Sequence, residues 1–447
     1  MHISIFCCNF ASKIVSYMKN GNISLLFILA ACCLVSCENQ FSNTPEEDTT
    51  MLWPAGDSTG FWGFINEKGE MVIPAKYDRT YGFSGGMAQV YIDLDGKPLP
   101  TYISYETSVI TSSQHAFINK RGEILFSLPE DKGFFDHYFY YGCCRYGGMR
   151  SIGMMNNHFN AFIPEYESGI NLGVMTKDGL ASSVLGYFNK AGKLVIPSYI
   201  NGVDGNTYDK MYDFCDGIAV VYDYIDMADM YTTYHRYGAI NTKGELVIDT
   251  VYAFLQSVGC NRLVYTRKDG DYSYVGLMDT QGNIITEPCI RRDWYSFFGE
   301  GGLMPVGIYQ DGAQYGYMDI NGNMQIPYKY AYATPFCNGY AWVLNEGFKL
   351  INMQDEVVLS LDLWQIPYYD YGFREGLCRV FYNDNKTRMY QYINLQGEII
   401  YSWPYEPDSQ GNNAPQKHEF DRKDMLLRLF EGTPYYSLAL QCAQMKD

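Results

Sequence analysis

The sequence predicts an all-β protein, an array of about eight three-stranded repeats with a short C-terminal helix. Three observations carry this prediction. Tyr (42) and Gly (43) are nearly equally common in 447 residues, and aromatics reach 16%, a composition that suits strands and turns better than helices. A hairpin signature recurs from residue 62 to residue 401. A second motif, an aromatic residue followed by a Gly turn and a strand, recurs between the hairpins.

The first 36 residues read as an address. The apolar run Ile23 to Ser36 is too short for a spanning helix of roughly 20 residues. It follows Lys19 and ends Leu34-Val35-Ser36-Cys37, with the proportions of a signal-peptide core. This end resembles the lipobox of bacterial lipoproteins, which implies cleavage before Cys37 and lipid attachment to it. Met18 is the expected true start. Removing residues 1–36 leaves 31 basic against 50 acidic residues, a charge of −19. Such a balance excludes a nucleic-acid-binding face. Eight cysteines remain besides Cys37, and buried thiols are expected of them rather than disulfides. Residues 37–50 (CENQFSNTPEEDTT) read as an acidic tether. Glu38 after the Cys favours the outer membrane, by analogy with lipoprotein sorting.

Residues 51–402 form the repeat domain. An Asn or Asp opens each turn, at Asn66, Asn119, Asn189, Asn241, Asp279, Asp319, Asn352 and Asn394. Three residues later stand Gly69, Gly122, Gly192, Gly244, Gly282, Gly322, Asp355 and Gly397. The Asn or Asp side chain bonds backbone NH groups, and Gly supplies positive φ. Short apolar runs flank each turn, such as Phe64-Ile65 before the first and Met71-Val72-Ile73 after it. Pro74, Pro197 and Pro327 end the second strand of the hairpin at one shared position.

The second motif is clearest at Phe83-Ser84-Gly85-Gly86-Met87-Ala88, Phe214-Cys215-Asp216-Gly217-Ile218-Ala219, Phe336-Cys337-Asn338-Gly339-Tyr340-Ala341 and Phe373-Arg374-Glu375-Gly376-Leu377-Cys378. A small residue at a fixed place marks a crowded line between neighbouring repeats. Trp62-Gly63-Phe64-Ile65-Asn66 through Val90 resembles the WG (KWG) repeat of bacteria. The resemblance implies β-rich units of about 40 residues and leaves the chemistry open. So small a unit buries its apolar face only against neighbours. Closure into a propeller, which removes sheet edges, is favoured; an open twisted solenoid is the alternative. In a propeller each unit would carry a short fourth strand near Tyr77-Asp78.

The spacings between turns are 53, 70, 52, 38, 40, 33 and 42 residues. The longer ones imply insertions at Thr101–Gln114, Gly133–Ser183, Tyr199–Tyr212 and Tyr222–Arg236, rich in Tyr, and insertions in repeat proteins cluster on a binding face. Residues 403–447 read as a loop and capping segment, with a helix at Asp421–Gly432 covering the terminal unit.

No catalytic residue, metal site or cofactor is expected. His115 occupies a repeat Trp position and reads as structural. Asp204, Asp209, Asp213, Asp216, Asp223, Asp226 and Asp229 lack EF-hand spacing and read as acidic surface. The function expected is a non-enzymatic binding or scaffolding lipoprotein, membrane-anchored, with a protein or glycan partner on the Tyr-rich face. The alternative is an envelope enzyme acting on glycans in a propeller mouth.

Overall fold

The computed structural model describes residues 50–444 apart from 94–112, 149–150, 168–170, 199–209, 225–234, 268–272, 293–295, 310–312, 363, 368–375, 385–386 and 405–435. The signal, the Cys37 lipidation site, the tether and the helix expected at 421–432 lie outside these residues. The described chain is all-β apart from a one-turn 3-10 segment and one helix, Tyr436–Gln444. Its strands form seven antiparallel sheets in a propeller arrangement.

The expected turn is present at each of the eight sites. At the first, Asn66 Oδ1 accepts the Lys68 and Glu70 amides, both at 3.0 Å. Gly69 (φ 78°) closes the loop by donating to the Asn66 carbonyl. A ninth turn of the same geometry stands at Asn156, whose Oδ1 accepts the amides of His158 and Asn160. The stretch 133–183, expected as an insertion, is therefore largely a repeat. Its strands are Cys143–Gly147, Ser151–Asn156 and Ala161–Glu167. Phe139 to Cys144 forms its lead-in motif, with Cys144 at the small position. The 70-residue gap holds two ordinary spacings.

Nine three-stranded units thus share seven sheets, because the six- and seven-stranded sheets each contain two. Unit 1 comprises Trp53–Gly56, Trp62–Ile65 and Met71–Thr80. The fourth strand expected near Tyr77-Asp78 is real. The far half of Met71–Thr80 leaves unit 1 and pairs with the first strand of unit 2, Arg79 facing Tyr91 and Thr80 facing Val90. Leu246–Gly259 does the same between units 5 and 6. Separate short strands, Gly133–Phe134, Lys210–Met211, Tyr332–Ala333 and Gln365–Pro367, lead into units 3, 5, 8 and 9.

Gly63 of the Trp-Gly pair has a steric cause. A Cβ there would lie 2.7 Å from the Ala75 nitrogen, because the third strand bulges across it. Gly153, Gly186, Gly238, Gly276 and Gly316 meet the same bulge in their own units.

Units pack by seating each turn against the third strand of the preceding unit. A Cβ on Gly122 would lie 3.2 Å from Ile73, one on Gly282 3.7 Å from Ile248, and one on Gly397 3.6 Å from Leu359. The two units without Gly fill this space instead. Phe159 stacks on Phe126 at 4.6 Å, and Asp355 bonds Lys329 and the Tyr330 hydroxyl.

The last unit meets the first in the same way, so the ring is closed. A Cβ on Gly69 would overlap the Ile400 carbonyl. The Tyr392 hydroxyl donates to the Pro54 carbonyl at 2.9 Å, and that of Tyr401 to Gly56 at 3.0 Å. Trp62 and Trp403 meet edge to face at 5.8 Å. Over this seam lies the guanidinium of buried Arg379, 5.6 Å from the Trp62 ring and 5.7 Å from that of Tyr390.

Candidate functional site

The ring has two unlike ends. Strands alternate in direction, so every Asn/Gly turn falls at one end with the Gly turns of the lead-in motif. The links between first and second strands fall at the opposite end. Asp93 pairs with Ser113 there, and Tyr224 with His235. Pro197 and Lys210, which flank residues 199–209, also end at that side. Three of the four expected insertions therefore attach at one end, the link end. The fourth, 133–183, proves to be a repeat.

At the turn end the C-terminal helix packs among lead-in segments. Tyr436 of the C-terminal helix stacks on Tyr140 at 4.7 Å. Tyr436 and Leu440 pack with Tyr81, Tyr138, Tyr141 and Val174. Leu438 reaches the other side of the ring, where a Cβ on Gly259 would lie 3.0 Å away. These contacts span lead-in segments from the first repeats to the sixth. The described helix lies across the mouth rather than over the terminal unit.

Near the helix is a buried polar nest. Asp136 accepts the Arg145 guanidinium bidentately, Nη2 at 2.6 Å and Nε at 3.0 Å, and also the Arg145 amide. Arg145 Nη1 donates to the Leu172 carbonyl at 2.8 Å. Asp213 is buried beside it and accepts the Ser182 hydroxyl. Burial raises the Asp213 carboxyl, opposed by the Ser182 bond and by Arg145. Of the acidic series, the two described side chains, Asp213 and Asp216, point to different partners. Asp213 points into this nest, whereas Asp216 binds the Asn261 amide at 2.7 Å.

A second polar cluster lies between units 2 and 3. His115 is 3% exposed, stacks on Tyr91 at 4.0 Å, and accepts the Phe134 amide at Nδ1. That bond puts its proton on Nε2. Burial and His137 lower its pKa to about 4, so the ring is neutral at pH 7. His137 stacks on Tyr81 at 3.5 Å. Asp78 accepts the Ser113 hydroxyl. The imidazole thus packs and bonds as its repeat position implies. The seven cysteines with described side chains are free thiols. Burial lifts Cys143 to about 11 and Cys378 higher, so neither is a thiolate near neutrality.

The model of WG containing repeats matches residues 62–97, 237–269 and 315–347. The chain carries WG-containing repeats. Each segment runs from the second strand of one unit through the first strand of the next, joining units 1 and 2, 5 and 6, and 7 and 8, and the other units share their geometry with weaker sequence. No curated protein matches the chain. Among solved structures, a eukaryotic initiation factor superposes with TM-score 0.52 at 10% identity, covering 80% of this chain and 97% of the other. That likeness shows the fold alone. The computationally designed Ika8 protein (TM-score 0.37, 13% identity, 61% and 87% covered) and BamB from Moraxella catarrhalis (0.34, 11%, 73% and 96%) superpose more loosely.

Proposed function

We propose that this WG-repeat ring is a non-enzymatic binding or scaffolding module of the bacterial cell envelope. It is held to the membrane, the outer one by the Glu38 analogy, through lipid on Cys37, and it engages a protein or glycan partner at the link end. The observation that carries this reading is the sidedness of the ring. The strand ends bearing the three long Tyr-containing links share one end, and a helix covers the other. Repeat proteins place binding loops this way, and Tyr is a favoured interface anchor. The helix across the mouth supports binding at the link end over chemistry in the mouth.

The test has two arms. Metabolic labelling with a fatty acid should tag the wild type and not Cys37→Ser; an untagged wild type sinks the anchor. Capture from envelope extracts and a glycan array should return a ligand that is lost when residues 225–234 are replaced by a short Gly-Ser link. A ligand retained by that variant and by one shortened at 199–209 would move the site elsewhere.

A further inference from the structure

We infer that the turn end of the ring rests on an anionic lipid surface through the arc formed by units 1, 2, 4 and 5. The inference deepens the anchored reading above and rests on it for orientation.

The first observation is an apolar rim. The third strand is the outer edge of each unit, and its first residues emerge beside the turn. Val72, Ile124, Leu125, Leu194, Val195 and Val247 are exposed there, from 36% for Leu194 to 57% for Ile124. Only units 2 and 4 expose two such side chains; units 1 and 5 keep one each, as do units 6 to 9 with Ile284, Met324, Val357 and Ile399, so the apolar rim runs beyond the arc and the charge selects it. In units 6 to 9 the next position is Gln325 or a partly covered Ile285, Val358 or Ile400.

The second observation is charge. Lys68, Arg121, Lys190, Lys193 and Lys243 are exposed at the turns of the same arc. The turns of units 6 to 9 carry no Lys or Arg; Asp279, Asp319, Asp355, Glu356 and Glu398 stand there instead. Acids are present on the arc too. Glu70, Glu123 and Glu245 accept from their own turn asparagines, at 2.8, 2.7 and 2.8 Å, as Glu356 and Glu398 do in units 8 and 9; Glu67 is exposed, so the arc differs from units 6 to 9 by its cations. Arg121 pairs with Glu123, and Lys190 donates to the Tyr141 carbonyl. In a chain of net charge −17, these five cations gather on one arc of the turn end. Apolar side chains flanked by long cations are what an interfacial contact uses.

The third observation is the point of entry. Met51 precedes the strand Trp53–Gly56, which begins at the turn end. Residues 38–50 span at most about 45 Å when extended and about 20 Å as a flexible coil. A lipid on Cys37 would therefore tether the ring from the strand that begins at its turn end.

The experiment uses the mature chain with Cys37→Ser, which removes the lipid. Its binding to phosphatidylcholine vesicles is compared with binding to vesicles that also contain phosphatidylglycerol. Binding to the anionic vesicles alone is expected, falling as salt rises. A variant with Lys68→Gln, Arg121→Gln, Lys190→Gln, Lys193→Gln and Lys243→Gln should bind at least about tenfold more weakly. Val72→Ser with Leu125→Ser, Val195→Ser and Val247→Ser should weaken it severalfold, while Arg267→Gln at the link end should not. All replaced side chains are exposed, and unchanged melting confirms folding. Equal binding to neutral vesicles, no binding, or a five-site variant equal to its parent overturns the inference. A protein that is labelled at Cys37 yet ignores anionic vesicles as Cys37→Ser keeps the anchor and loses this contact.

Discussion

Gly69, the turn glycine of the first unit, lies against the Ile400 carbonyl of the last, closer than a Cβ permits. Residues more than 300 positions apart reproduce the contact that Gly192 makes with Phe162 in the neighbouring unit. Gly69→Ala adds this overlap to the cost of positive φ, and should destabilise by about 2 kcal/mol or more. Gly85→Ala is the control. It has φ 57° and open space around it, so about 1 kcal/mol is expected. Urea unfolding of both variants decides; equal losses would show that the seam contact carries no weight.

Tyr392→Phe leaves the Pro54 carbonyl without its donor at a buried seam. A cost of about 1–2 kcal/mol follows. Hydrogen exchange should quicken first in Trp53–Gly56 and Ile399–Pro404, the strands that meet there. Uniform exchange around the ring would mean that the seam is no weaker than any other joint.

His115 is neutral when folded and takes up a proton near pH 6.5 when unfolded. The unfolded chain therefore binds more protons between about pH 6.5 and about pH 4, and stability falls as pH drops through that window. The loss attributable to this group approaches about 3 kcal/mol at the acid end. His115→Phe keeps a ring against Tyr91 and removes the titration. Its unfolding midpoint should fall less than the wild type's between pH 7 and pH 4.5; parallel curves would exonerate His115.

Phe159 pays for φ 60° with a stacked ring. Phe159→Ala keeps the backbone strain and loses the stack, about 2 kcal/mol for a half-buried side chain. Phe159→Gly loses the stack and relieves the strain, so it should be more stable than the Ala variant by about 1 kcal/mol. Thermal melts that rank Ala above Gly would contradict this.

The eight turns were legible because their chemistry is local, an Asn or Asp side chain and a positive φ three residues later. The ninth hid because Phe159 fills the Gly place. Gly153 and Pro164, at their repeat offsets from Asn156, were signals that could have exposed it. Closure was expected from the need to remove sheet edges, but the seam that achieves it was not legible, since Tyr392 and Pro54 reveal nothing of each other in sequence. The same is true of the helix, where Tyr436 finds Tyr140 only after the units have ringed the axis. The link end followed from the sequence as far as its attachment points, because strand direction is fixed by hairpin order. The Arg145–Asp136 nest was missed entirely, lying inside a stretch read as insertion.

The seam repeats the joint found between inner neighbours, so no single interface records where the ring should end. The number of repeats is an angular sum, reached when small wedges from many joints complete one revolution. An extra repeat would meet no local obstacle. Its misfit would be shared thinly by every joint, and repeat number can drift in such chains without a new interface having to be invented.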